Sequence, residues 1–100
     1  MEKQLAVTKH TREFLDGLID YYVAEAPSYR QIAQSYVPDI ESVTDAAFGI
    51  ITGCVYSAFL RAYENENRSV ELDDMQEFHK ILKERAPAIK GAIEKNAQPE

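Results

Sequence analysis

The sequence is poor in the residues that cross-link or punctuate a chain. Its 100 residues include one cysteine, Cys54, four glycines, four prolines and no tryptophan. A single cysteine excludes an intrachain disulfide and suits a reducing compartment, so we expect a cytoplasmic protein. The scarcity of glycine and proline favours long regular elements over a turn-rich β-fold. The first residues also lack a long apolar run, so we expect no signal peptide.

Positive charge is scarce as well. Eleven lysines and arginines face 17 aspartates and glutamates, which leaves a net charge of −6 at pH 7. Such a surface repels phosphate and disfavours binding to nucleic acid and to anionic membranes. The hydrophobic fraction of 45% and the charged fraction of 28% are those of a globular protein. We therefore expect one domain over residues 1–100, with a frayed tail at 96–100.

Apolar residues at helical spacing predict a first helix from about Gln4 or Thr8 to Ala24. Its predicted apolar face consists of Val7, Phe14, Leu15, Leu18 and Tyr22. Pro27 should end this helix or force a break before itself.

A short second helix is predicted next, and Ser28 and Gln31 have the spacing of a capping box at its start. Its predicted apolar stripe consists of Tyr29, Ile32, Ala33, Tyr36 and Val37. Pro38 should stop it, which leaves Asp39 or Ser42 to cap the third helix.

The third helix, at about 40–64, is predicted to be the centre of an all-α bundle of four to five helices. Its apolar residues form a wide stripe that flanking side chains extend on both sides, so the other helices should cover it nearly all round. The stripe contains Val43, Ala47, Ile51, Cys54, Val55, Ala58 and Ala62. The uncharged run at 46–60, between Asp45 and Arg61, spans about 22 Å as a helix, short of the roughly 30 Å of bilayer hydrocarbon. We therefore expect a core helix and no membrane.

A fourth helix is predicted from near Leu72 or Asp73, with Met75, Phe78, Leu82 and Ala86 as its apolar stripe. Pro87 suits the start of a new helical segment, so a last short helix is predicted from about Ala88 to Lys95.

Two glycines inside the third helix, Gly49 and Gly53, lie four residues apart on a ridge that Ala46 and Ser57 extend. Together they cost about 2 kcal/mol of helix stability relative to alanine, so a compensating contact is expected. The ridge predicts close approach of another backbone, either within the bundle or from a second copy.

His79, at the edge of the fourth helix's apolar stripe, is a candidate phosphoacceptor. Histidine phosphotransfer domains are also small helical bundles with a histidine on a helix, and the chain resembles them in this respect. Their usual pattern has leucine, lysine and glycine at two, three and four residues after the histidine. The corresponding residues here are Ile81, Leu82 and Lys83, so the glycine that makes room for a docking partner is absent. The alternative is a partly buried histidine that helps to define a helix boundary.

Two acidic groups are candidate sites. Glu13, Asp16 and Asp20, near His10, oppose the apolar face of the first helix, which predicts a solvated face rather than a metal site. The stretch from Glu64 to Glu77 carries a net charge of −5 and lacks the spacing of an EF-hand loop. It is expected to be a polar loop leading into a helix, with a docking patch for a basic partner as the alternative.

The segment from His79 to Gln98 has the opposite bias, with Lys80, Lys83, Arg85, Lys90 and Lys95. Short helices around Pro87 could imitate a helix-turn-helix, which gives a DNA-binding regulator as an alternative function. Cys54 lies on the core stripe, which predicts an inert buried thiol rather than a catalytic one.

The sequence favours a cytoplasmic protein–protein interaction module, either a subunit, an adaptor or a regulator, and a homodimer. No motif indicates catalysis, a cofactor or a metal, and the tyrosines suit partner surfaces as well as bundle edges. The candidate interface residues are Gly49, Gly53, Tyr56, Ser57 and Tyr63. The alternatives are the phosphotransfer module that uses His79 and the DNA-binding regulator that uses the basic C-terminal helices.

Overall fold

The computed structural model describes residues 9–95, and side chains from Thr11 onward. Within that range it contains four helices and no strand: α1 Lys9–Ala24, α2 Ala26–Gln34, α3 Val43–Asn65 and α4 Leu72–Lys95. The prediction of a small all-α bundle is confirmed. The predicted start of α1, the side chains of Val7 and His10, and the tail at 96–100 lie outside this range.

The break between α1 and α2 lies at Glu25, which is the N-cap of α2 without a side-chain hydrogen bond. Pro27 occupies the first turn of α2. A proline is tolerated there because its missing N–H would have no helical acceptor. Ser28 therefore lies inside the helix, and the predicted capping box of Ser28 and Gln31 is wrong.

The predicted apolar stripe of α2 is only partly buried. Ala33 is fully buried, whereas Ile32, Tyr36 and Val37 are 46–57% exposed. α2 ends at Gln34, so Tyr36 and Val37 lie beyond its last turn and do not share the helical register that the prediction assumed.

Local signals set both ends of α3. The Ser42 hydroxyl accepts a hydrogen bond from the backbone N–H of Asp45 at 3.0 Å, so its predicted capping role is confirmed. At the other end, Asn67 has a φ of 57°, and its N–H donates to the carbonyl of Glu64. The N–H of Arg68 donates to the carbonyl of Tyr63, which completes a Schellman motif.

α4 continues through Pro87 without interruption, so the predicted separate helix at 88–95 is wrong. Pro87 removes one backbone hydrogen bond, which disfavours the helix at that point. The helix buries Ile81 and Leu82 before the proline and Ile89 and Ile93 after it in a single core. Burial of both segments in one core keeps them in one continuous helix.

The core lies along one stripe of α3, which consists of Ala47, Ile51, Val55, Phe59 and Tyr63. Leu15 and Ile19 of α1 pack against it, together with apolar residues of α4, and Ile19 was not among the residues predicted to face the core. The opposite face of α3 remains exposed, including Gly49, Gly53 and Ser57. The prediction that α3 is covered nearly all round is therefore wrong.

Candidate interaction face on α3 and α4

A groove of about 500 Å³ runs between α3 and α4. The α3 wall is formed by Phe48, Gly49, Thr52, Gly53 and Tyr56. The α4 wall is formed by Met75, Phe78, His79, Leu82, Lys83 and Ala86. Most of these side chains are apolar, and the two that can carry positive charge, His79 and Lys83, are exposed at the surface.

Aromatic packing builds the floor of the groove. The ring of Phe78 is 1% exposed and lies 5.5 Å from the ring of Tyr56, centroid to centroid. The hydroxyl of Thr52 donates to the carbonyl of Gly49 at 3.2 Å, so its own helix satisfies it. Because Phe78 itself is buried, the apolar surface that a partner can cover is that of Tyr56, 39% exposed, and of the partly buried Phe48.

Gly49 and Gly53 lie on the exposed wall of this groove. Within the described chain, no heavy atom of another element lies within 4 Å of the position that a Cβ would occupy at either residue. The glycines therefore do not mediate a close helix crossing inside the bundle, and that interpretation of the ridge is wrong. Their helix-destabilising effect is uncompensated in the single chain.

Five exposed residues at a spacing of four form what we call the α3 ridge: Asp45, Gly49, Gly53, Ser57 and Arg61. The ridge is two residues out of phase with the buried stripe, or about 200° around the helix, so it points away from the core. Three small residues at its centre allow another backbone to approach closely, and its two ends carry one negative and one positive charge. From the sequence, Asp45 and Arg61 were identified only as the limits of an uncharged run. The spacing of four residues between successive members of the ridge is the signal that could have identified it.

The predicted interface residues do not all lie together. Gly49, Gly53 and Tyr56 line the groove, and Ser57 lies on the adjacent ridge. Tyr63 is only 3% exposed and belongs to the core, with its ring 4.9 Å from that of Phe59. Burial, together with the nearby Asp74 carboxylate, raises the pKa of Tyr63 to about 12. We therefore exclude Tyr63 from the interaction face.

His79 lies on the α4 side of the groove, in the middle of the helix. Its side chain is exposed, and its ring meets Phe78 edge-on at 5.1 Å. The interpretation as a partly buried histidine at a helix boundary is wrong. The structure instead places the candidate phosphoacceptor beside the same groove as the glycines.

The acidic side chains of α1 contact α4 rather than water alone. Arg85 donates to Asp16 at 3.1 Å and to Asp20 at 2.6 Å, and Arg12 pairs with Glu84. The prediction of a solvated face holds in part: Asp20 is exposed, but the prediction rested on α1 alone and missed the cations that α4 supplies. Among the residues described, no group of three or more histidine, cysteine, aspartate or glutamate side chains has a metal-binding arrangement.

Part of the acidic stretch at 64–77 has a structural role. Asp74 is 4% exposed, and its carboxylate accepts the backbone N–H of Glu71 at 2.8 Å. This contact satisfies a free donor at the start of α4, and Asp73 and Asp74 in the first turn suit the helix dipole. The Glu66 carboxylate pairs with Arg68 at 3.0 Å, so a local ion pair neutralises part of the negative charge of this stretch.

The basic segment is also partly neutralised. Arg85 binds Asp16 and Asp20, and Nζ of Lys90 lies 3.0 Å from Oδ1 of Asp45. Because α4 is continuous, there is no helix-turn-helix around Pro87. Because Arg85 and Lys90 are already paired, the basic side chains of this segment are not all free to bind phosphate. Cys54 is partly buried rather than fully buried in the core.

One helix in the described part of the chain, α3, is long and apolar enough to cross a membrane by length and composition. Only 22% of its most apolar 18-residue window is buried, because the core covers it on one side. A core helix of a soluble protein that passes the same test is mostly buried, whereas α3 is covered on one side only and carries Asp45 and Arg61 at the ends of its exposed ridge. Comparison with known proteins finds no family model, curated protein or solved structure that matches this chain.

Proposed function

We propose that the protein is a cytoplasmic protein–protein interaction module without catalysis of its own, and that it binds its partner through the α3 ridge and the adjoining groove. One observation carries the proposal. The most apolar helix within residues 9–95, α3, leaves a glycine-bearing face exposed, while its own neighbours cover only the opposite side.

The exposed face of α3 is depleted of charge. Between Asp45 and Arg61 it carries no charge over residues 46–60, whereas the chain as a whole has a charge of −6. Depletion of charge around an aromatic anchor is typical of the centre of a protein interface. Tyr56, 39% exposed beside the groove, supplies such an anchor. The exposed glycines let a partner backbone approach closely, which makes up for their low helix propensity.

Photo-cross-linking in the cell tests the proposal. A benzophenone amino acid replaces Tyr56 in one variant and Tyr21 in the other, since both tyrosines are exposed but Tyr21 lies on α1, away from the groove. Irradiation should attach a protein to the chain at position 56 and not at position 21. Absence of any protein adduct at 56, or an adduct to lipid alone, would contradict an interaction module that uses this face.

A second candidate function, phosphotransfer, is supported by the exposure of the His79 ring at the groove. A docking partner in the groove would reach this imidazole. Incubation with acetyl phosphate should then give an acid-labile phosphohistidine that His79→Gln removes. An unmodified chain under conditions that phosphorylate a known phosphotransfer domain would dispose of this candidate and leave the interaction proposal intact.

A further inference from the structure

We propose that the partner at this face is a second copy of the chain, with the two α3 helices packed antiparallel about a two-fold axis at Gly53. This inference rests on the proposed interaction function and adds the identity of the partner and the direction of packing. It follows from the order of residues along the α3 ridge.

The ridge is self-complementary when it is reversed. Asp45 lies eight residues before Gly53 and Arg61 eight residues after it, while Gly49 and Ser57 lie four residues before and after. Antiparallel packing about Gly53 therefore places each Asp45 towards the partner's Arg61 and each Gly49 against the partner's Ser57. A two-fold interface requires this reciprocal matching of one surface with itself.

The parallel arrangement lacks this match. It places Asp45 against the partner's Asp45 and Arg61 against the partner's Arg61, so like charges meet at both ends. Rows of residues four apart pack at an inclined crossing, where small residues at the centre let the two backbones approach. The crossing separates the ends of the ridges, and the long arginine side chain is suited to span that distance.

The charged ends are available for such contacts. The Asp45 side chain remains 68% exposed although Lys90 binds its Oδ1, so Oδ2 can accept a second cation. The Arg61 side chain is exposed and makes no ion pair or hydrogen bond within residues 9–95. Two copies with a charge of −6 each repel elsewhere, and the uncharged run at 46–60 is where they meet with the least repulsion.

The two-fold axis also brings the two grooves to the same side of the pair. In this register each Tyr56, three residues after Gly53, lies towards the partner's Phe48, five residues before Gly53. The exposed part of Tyr56 and the partly buried Phe48 would lose contact with water in both chains. Burial of this exposed apolar surface favours association, and the end charges select the direction of packing.

Light scattering after size-exclusion chromatography of the full chain is the first test. The expected mass is twice 11.4 kDa. A monomer at all concentrations up to the millimolar range would overturn the inference. If Tyr56 then cross-links to a different protein, the interaction function stands and only the second-copy identity fails; if it cross-links to no protein, both fail.

Charge reversal tests the direction of packing. Asp45→Arg alone and Arg61→Asp alone should each raise the dimer dissociation constant about tenfold. Each substitution replaces an attractive contact by a repulsive one, and the two-fold axis makes this contact occur twice in the dimer. The double variant should return to the wild-type value, and an equimolar mixture of the two single variants should form a heterodimer. Single variants that dimerise as well as the wild type would overturn the antiparallel arrangement. Arg61→Asp is the cleaner variant, because Asp45→Arg also breaks the contact with Lys90.

A bulky side chain at Gly53, on the proposed two-fold axis, tests where the two copies meet. Gly53→Leu should abolish the dimer without unfolding the monomer, because no atom of another element in the described chain lies within 4 Å of its Cβ position. Gly91→Leu in α4 is the matched control, since Gly91 is also an exposed helical glycine with open space around it. It should leave the dimer unchanged. A Gly53→Leu protein that still dimerises with wild-type affinity would place the contact elsewhere.

Discussion

The rings of Phe59 and Phe78 stack with their centroids 4.6 Å apart and their planes at 30°, and this contact joins α3 to α4 beneath the groove. Both side chains are almost completely buried. The Phe78 ring also contacts the rings of Tyr56 and His79. The core contact thus determines where the groove and its polar edge lie.

Phe78→Ala is expected to lower the free energy of unfolding by about 3–5 kcal/mol, because it leaves a cavity under three aromatic neighbours. Chemical denaturation followed by circular dichroism measures the change. Leu72→Ala, at the start of the same helix and 71% exposed, is the control and should change stability by less than about 0.5 kcal/mol. Equal effects of the two variants would contradict the burial of Phe78.

Gly53→Ala is expected to stabilise the monomer by up to about 1 kcal/mol, because alanine has the higher helix propensity and meets no neighbour at this position. Gly91→Ala should give a similar gain. Urea denaturation at concentrations where the chain is monomeric measures both. A loss of stability confined to Gly53→Ala would show that a helix packs against this residue within the chain.

The contact between Lys90 and Asp45 predicts a pH dependence. The hydrogen bond and charge of Lys90, with help from Ser42, hold the pKa of Asp45 below its usual 3.8. A lowered folded-state pKa means that the carboxylate form favours folding. This stabilisation is present above the unfolded-state pKa and is lost as the pH falls through the folded-state value.

Lys90→Met should raise the pKa of Asp45 towards its usual value, which an NMR titration of the side-chain carboxyl carbon reports directly. It should also reduce the difference in stability between neutral and acidic solution. Lys95→Met, which removes an exposed lysine elsewhere on α4, should leave the Asp45 titration unchanged. An identical Asp45 titration in wild type and Lys90→Met would argue against the ion pair.

Arg85→Gln removes two contacts between α4 and α1, those with Asp16 and Asp20. Because these groups are partly exposed, the expected loss of stability is only about 1 kcal/mol, and added salt should diminish it. Thermal unfolding at low and high ionic strength measures the effect. Lys80→Gln, an exposed charge on the same helix, is the control. A loss that persists undiminished at high salt would point to packing by the arginine stem instead.

Local signals in the sequence determined the helices. Apolar spacing predicted α1, α2, α3 and α4 near their observed positions, and Ser42 was among the residues predicted to cap α3. These predictions succeed because capping and helical periodicity depend on residues a few positions apart. The all-α class and the position of Gly49, Gly53 and Tyr56 on one helix followed from the same local rules.

Tertiary packing decided which face of each helix its neighbours cover and which face stays exposed. An apolar pattern on nearly all sides of α3 contains no information about the side that its three neighbours leave open, so the exposed ridge could not be predicted. The same holds for the burial of Tyr63 and for the cations that Asp16 and Asp20 find on α4. Pro87 would locally favour a break, but burial of α4 on both sides of it outweighs that preference, because tertiary contacts stabilise helices more than propensity does.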